Sequence, residues 1–358
     1  MPIRLTDYFN SAAIAARFTE DASSRIPYLG AGLFPAAKKM GLELSQILGY
    51  GGLPVSLGPS NFDAKSTLRS REPLDIGKME MAFFRESMLV KEKDEQDLLI
   101  VEDANSPYAQ EVISRIFDDA ATLLAGADVV AERMRMQLLC PQNAGRPQIN
   151  ISAKGVKYAY DYDPKGVYAA KNYKAMSASA DMWTDNANSD PLGDLEAAKE
   201  ALLSESGTEA AIAVVNSATL RQMKNNASVR NAILAQNVTA NVFMNTARLK
   251  EMLQNELGLT LIVYDKMYKD EAGVAHKFFA DGYVSLLPEG ALGKTVYGTT
   301  PEERTLLGKT GKDVTIVNTG VAVEVSVTSD PVNTKTTVSE IVLPSFERMH
   351  ETYALKVF

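Results

Sequence analysis

Side chains suited to chemistry are scarce in this 358-residue chain: Cys140 is its only cysteine, and His276 and His350 are its only histidines. A catalytic thiol needs a partner that favours the thiolate, and a zinc site needs thiolate, imidazole or carboxylate ligands at helical or knuckle spacing. Neither histidine has such a partner at a suitable spacing. Cys140 stands before Pro141 at the end of an apolar run, which reads as core packing. His276 sits in VAHKFF, an alternating strand pattern, and is expected to face solvent or a neighbour. A single cysteine excludes an intramolecular disulfide and fits a reducing compartment.

Two GKT triplets, Gly293-Lys294-Thr295 and Gly308-Lys309-Thr310, invite a phosphate-loop reading. That motif requires a glycine five residues before the glycine of its GK pair. Pro288 and Glu303 occupy those positions, so turn chemistry explains the triplets better. DYDPKG at Asp161–Gly166 has the look of a calcium loop, but Lys165 and Asn172 stand where the EF-hand needs an oxygen ligand and a glutamate. A hairpin turn is expected there, with Pro164 presetting φ and Gly166 taking the left-handed position. No G-x-S-x-G, G-x-G-x-x-G or H-E-x-x-H occurs. The weight shifts from catalysis toward a structural role: no enzyme, cofactor or metal is expected.

The net charge is −8 and no Lys/Arg run exceeds two residues, which disfavours sequence-specific nucleic-acid binding. No run of about 18 apolar residues exists to span a membrane. The start, MPIRLTDYFNSAAIAARF, lacks a secretory h-region and reads as a short amphipathic helix around Leu5–Phe18. The length implies two or more lobes.

Residues 1–45 hold too little apolar surface to fold alone and must lie on something else. Residues 46–88 pass from GYGGLPVSLGPSN into LRSREPLDIGKMEMAFFRESM, a charged, poorly self-burying stretch that suits a projecting hairpin. Residues about 106–139 form the clearest helix, with Pro107 in its first turn and Pro141 ending it. Its apolar stripe runs through Val112, Ile116, Ala120, Leu123, Ala127, Val130, Met134 and Leu138. A hairpin is predicted over 148–170, closed at Asp163–Gly166. From about Asp190 the chain reads as α/β, including a hairpin looped by KDEAG and a helix capped by Gly258. From Val321 it returns to strands.

This order resembles the major capsid protein of tailed bacteriophages, with the Hong Kong 97-type fold, and more narrowly the lambda major head protein family. Three stretches carry the likeness: Arg71-Glu72-Pro73 leading into AFFRESMLVKEKDEQDLL; Trp183 followed by DPLGDLE, with Asp190, Pro191, Asp194 and Leu195; and YDKMYKDEAGVAHKFFADGYVSLLPEGALGKTVYG. The resemblance implies an α+β subunit with an N-terminal arm at 1–45 reaching a neighbouring subunit and an extended loop at 46–88 lying over the adjacent one. It further implies a peripheral domain at 89–184, an axial domain at 185–322 with turns around Gly290–Thr300 near its axis, and returning strands of the peripheral domain at 323–358.

The function so implied is a structural one, in the virion: self-assembly into pentamers and hexamers of an icosahedral head enclosing double-stranded DNA. The partners would be copies of the chain, a separate scaffolding protein, a portal and a decoration protein. Arg69, Arg71, Glu72, Glu80, Arg85 and Glu86 are candidates for ion pairs between subunits, and Phe83, Phe84 and Met88 for apolar anchors, the residue types interface cores favour. Lys65 and Lys78 lie in the loop, with nothing marking them as crosslinking residues. Two rival readings are a cellular nanocompartment shell of the same fold and a soluble two-lobed enzyme or ligand-binding protein.

Overall fold

The computed structural model describes residues 9–22, 27–48, 75–90, 107–153, 155–234, 245–307, 313–329 and 332–358. The chain opens with helix α1 (Ser11–Ala22), where the Asn10 side chain accepts the Ala13 N–H at 2.8 Å as a cap. Ile14 and Phe18, four residues apart, share its buried face. A single-turn helix α2 (Leu29–Leu33) leads into β1 (Ala36–Lys38) and β2 (Glu43–Leu48). β2 pairs with β3 (Asp75–Glu80), and β4 (Ala82–Val90) follows directly.

Helix α3 (Pro107–Leu139) has the expected bounds. At 1.5 Å per residue it is about 50 Å long. Its buried line runs Phe117, Ala120, Leu124, Ala127, Ala131, Met134, Leu138, stepping by three and four. The expected line used Leu123 and Val130, seven apart, which are only half-buried. Leu124 and Ala131, one position further along, are the buried ones.

After α3 come β5 (Gln148–Ala153) and β6 (Val156–Asp161), α4 (Val167–Lys171) and β7 (Tyr173–Ala175), then α5 (Pro191–Ser206) and β8 (Ile212–Val215). Next are α6 (Ser217–Asn225), α7 (Ala227–Leu234), α8 (Thr246–Leu257), β9 (Thr260–Val263) and the hairpin β10 (Met267–Lys269) with β11 (Ala275–Lys277). The chain ends through β12 (Tyr283–Leu287), β13 (Lys294–Tyr297), α9 (Pro301–Leu307), β14 (Asp313–Val317), β15 (Val321–Ser329), β16 (Val332–Ser345) and β17 (Tyr353–Lys356).

These elements form two compact units. The first takes 1–44, 78–134 and 294–345. Its sheet runs β1-β13-β16-β15-β14, with β4 also on β16. Val342 faces Tyr297 on one side and Ala82 on the other, so β13 and β4 flank β16. Val323 opposes Val338, and Val321 lies two residues away on the same face. That face packs on Phe9, Ile14 and Phe18 of the α1 region and on Phe117, Ala120 and Leu124 of α3.

The second unit takes 45–77, 135–293 and 346–358. Its sheet runs β7-β17-β12-β8-β9, with β7–β17 and β8–β9 parallel. Leu195, Leu202, Leu249, Leu253, Val284 and Leu355 meet in its core.

Three expectations differ from this partition, one being that 346–358 return to the first domain: they lie in the second unit, where β17 pairs with β7 and β12. Residues 148–161 belong to the second unit, and 294–322 to the first, because β13, β14 and β15 pair in the sheet that holds β16. Lys294–Tyr297, expected among axial turns, is therefore strand in the first unit. The first GKT triplet runs into this strand, and the second lies outside the described residues.

The hairpin of 148–161 also closes elsewhere than expected. Ala153 opposes Val156, and Gly155 at φ +81° makes the turn. Asp163–Gly166 instead starts α4: the Asp163 carboxylate accepts the N–H groups of Val167 at 2.7 Å and Ala169 at 3.0 Å. Gly166 takes the left-handed conformation as anticipated, at φ +70°. The carboxylate that hinted at calcium is thus spent on orphan helix donors.

Candidate assembly surface

β4 carries most of the described candidate residues. It is paired along its length with β16: Phe83 opposes Ile341, Phe84 opposes Glu340, Arg85 opposes Ser339 and Glu86 opposes Val338. Directly opposed residues point to one face. Phe84 and Glu86 therefore share the face of Val321 and Val323, while Phe83 and Arg85 share the other. Phe83 and Phe84 are half-buried, and Arg85, Glu86 and Met88 are exposed, as is Glu80 on β3. Arg69, Arg71, Glu72 and Lys65 lie outside the described residues; Lys78, on β3, is exposed.

Within its own chain the guanidinium of Arg85, a candidate for pairing across subunits, pairs with Glu302 and lies 5.2 Å from the Phe83 ring centroid. The reason is burial: Glu302 is only 3% exposed, and a carboxylate so enclosed requires a cation and hydrogen bonds. Ser339 supplies one, its hydroxyl donating to Glu302 at 2.6 Å. Glu303 pairs in turn with Lys38, at the end of β1, at 2.6 Å. Lys38 also donates to the Gly298 carbonyl at 2.9 Å. Glu302 and Glu303 open α9, where the Thr300 hydroxyl accepts the Glu303 N–H at 3.2 Å.

The arm is described over 9–22 and 27–45. Its described helix lies on its own chain, with Phe9 edge-on to Phe117 at 5.2 Å. Ser11 meets Asp313 and Thr315, and Arg17 pairs with Asp118 at 3.2 Å. The aromatic and aliphatic residues of this segment pack in the α3–sheet groove of the same chain.

In the second unit, the Trp183 stretch gains a physical account. Trp183 is fully buried, and its indole N–H donates to Asp194 at 3.0 Å. Asp190 precedes α5, Pro191 takes its first position and Leu195 is buried in the core. Ser228 donates to Asp190 at 2.9 Å, tying α7 to the start of α5. His276 is half-exposed beside Asp270 at 2.8 Å. That hydrogen bond, first among several, holds the Asp270 carboxyl below its usual range. Burial pushes the Cys140 thiol up to about 12, which keeps it protonated at neutral pH. Among the described residues, no three His, Cys, Asp or Glu side chains gather as metal ligands, and no helix is long and apolar enough to cross a membrane.

Solved structures share this architecture. A protein assigned to the capsid of an E. coli CFT073 prophage superposes with TM-score 0.60 at 13% identity, covering 98% of this chain and 99% of that one. A phage-related protein from Bordetella bronchiseptica RB50 gives 0.55 at 15% identity over 95% and 96%. The capsid subunit of cyanophage A-1(L) gives 0.50 at 13% identity over 93% and 92%. The fold is thus that of Hong Kong 97-type capsid subunits. Among curated proteins no relative matches. The sequence profile of the family described as phage major capsid protein E matches residues 11–357, and the chain belongs to that family. Its role is structural, as a shell protein of the virion capsid built from copies of itself.

Proposed function

We propose that copies of this chain form pentamers and hexamers, and that these close into an icosahedral head around double-stranded DNA. The observation that carries this reading is the family match across 11–357. The first unit, with its six strands and α3, is read as the peripheral domain, and the second as the axial domain. The chain between β2 and β3 is read as the loop over the adjacent subunit, with Arg69, Arg71 and Glu72 offered to it. Glu80, Glu86 and Met88 have the exposure such contacts need. A standard interface buries about 1,600 Å², so several such contacts per subunit would hold a shell.

A net charge of −8 fits a container for DNA, since a negative lining repels phosphate within about 10 Å and lets the genome move. A separate scaffolding protein, a portal and a decoration protein complete the expected partners.

The test is expression in a bacterial host, with and without scaffold, followed by sedimentation and negative-stain microscopy. Pentamers, hexamers and closed shells are expected, with DNA in particles recovered from infected cells. A species that stays monomeric at every salt and scaffold condition overturns the reading. Shells that enclose protein cargo and no DNA would favour the nanocompartment instead.

A further inference from the structure

The chain leaves the first unit after Leu44 and re-enters it at Lys78, and the residues flanking both crossings, Lys38 and Lys39 before and Arg85 after, converge on one short segment, Gly298–Glu303. On the outgoing side, Lys38 pairs with Glu303 and donates to the Gly298 carbonyl. Lys39 N–H reaches the Tyr297 carbonyl at 2.9 Å. On the returning side, Arg85 pairs with the adjacent glutamate, Glu302, whose other oxygen takes the Ser339 hydroxyl. The two sides also meet each other, the Met81 N–H donating to the Leu42 carbonyl at 2.8 Å.

Gly298 is where all of this packs closest. A Cβ added there would stand 2.9 Å from the Gly41 carbonyl oxygen of the outgoing side and 2.9 Å from the Met81 methyl of the returning side. It would also stand 2.6 Å from Ile341. Only glycine allows that approach.

We infer that Gly298–Glu303 is a pedestal that holds Lys38 and Arg85, the described roots of the chain between β1 and β4, at a set separation. Glu302 and Glu303 are its positioning residues. Each glutamate holds one root of the loop, and being neighbours on one helical turn they hold the two roots at a set separation. On the shell reading, the segment between these roots is the one offered to another subunit, and a fixed base is what such a contact needs. Exposed charge pairs contribute little to stability, but Glu302 is enclosed, so its pairing with Arg85 is strongly directional. The inference rests on the shell reading for its purpose, and on the described residues alone for its geometry.

The experiment reads hydrogen exchange and assembly separately. E302Q keeps the shape of the buried side chain and its acceptor for Ser339 while removing the charge. R85M, on the half-exposed side, serves as the second variant should E302Q fold poorly. In each, amide exchange across 82–90 is expected to rise by about tenfold while exchange in β14 and β15 stays at the wild-type rate. The double variant is expected to equal either single one, the signature of a shared interaction. K38M and E303Q should do the same for 36–38. The yield of closed shells should fall with the exchange protection. Wild-type exchange across 82–90 in both R85M and E302Q, or additive effects in the double variant, overturns the pedestal. A wild-type chain that never assembles overturns the shell reading and leaves the exchange result to decide the pedestal by itself.

Discussion

Ser11 and Asp313 stand 302 positions apart in sequence and share two hydrogen bonds: the Ser11 backbone N–H reaches one carboxylate oxygen at 2.8 Å and its hydroxyl the other at 2.5 Å. A carboxylate at a helix N-terminus satisfies an orphan donor and faces the positive end of the helix dipole. D313A should therefore cost about 1–2 kcal/mol. The measurement is the urea midpoint by circular dichroism, and T315A should cost less, since Thr315 meets only the Ser11 hydroxyl. Equal stability of D313A and wild type would show that α1 does not dock here in solution.

Trp183 is the only tryptophan, and its indole N–H points to Asp194. W183F retains most of the ring volume and leaves this carboxylate with Lys174, 3.4 Å away at its other oxygen. The loss expected is about 1–3 kcal/mol, from the unmade hydrogen bond and the reduced ring. Circular dichroism reads it, since the variant has no tryptophan fluorescence. A W183F/D194L double variant should recover part of the loss, because it removes both polar groups together.

Gly282 sits at φ +77°, and a Cβ there would lie 2.7 Å from the Phe358 carbonyl oxygen. The obstacle is backbone, which cannot swing aside. G282A should lower stability by more than about 1 kcal/mol and loosen the chain just after β17, where the Val357 N–H bonds the Gly282 carbonyl at 2.7 Å. Faster exchange at the Val357 amide is the specific readout.

His350 is held below its ordinary value of 6.5, chiefly by burial, with Lys171 adding to the effect and Asp163 opposing it. Its neutral ring is the form the folded chain favours. Below pH 6.5 the unfolded chain takes up the proton first, so stability falls as pH drops from 6.5 through the depressed folded value. Above that window this component is fully present. H350Q should flatten that segment of the stability–pH curve, measured as urea midpoints between about pH 5 and 8. A curve unchanged in shape would assign the acid sensitivity to other groups.

How much of this was legible in the sequence depended on the range of the interactions. Helix α3 was readable because one residue in three or four along it is apolar and prolines bracket it. The hairpin at KDEAG was readable because Asp270 caps its own loop, accepting from Ala272 and Val274. The closure of the 148–161 hairpin was missed because DPKG is a stronger turn signal than Lys154-Gly155, yet it serves the helix that follows. The Arg85–Glu302 pair was not legible because Glu302 lies 217 positions away, in a stretch with no periodic signal. The family order of elements carried the fold; it did not reveal which ion pairs close within the subunit.

The strand that organises each sheet arrives late in synthesis. β16 joins β4, β13 and β15, and β17 is inserted between β7 and β12. A nascent chain that has reached Thr328 has no β16, so the face of β15 is without its central mate. One that has reached Thr352 still lacks a middle rib of the second sheet. A chain that has not yet reached Lys356 therefore lacks at least one of the two finished sheets.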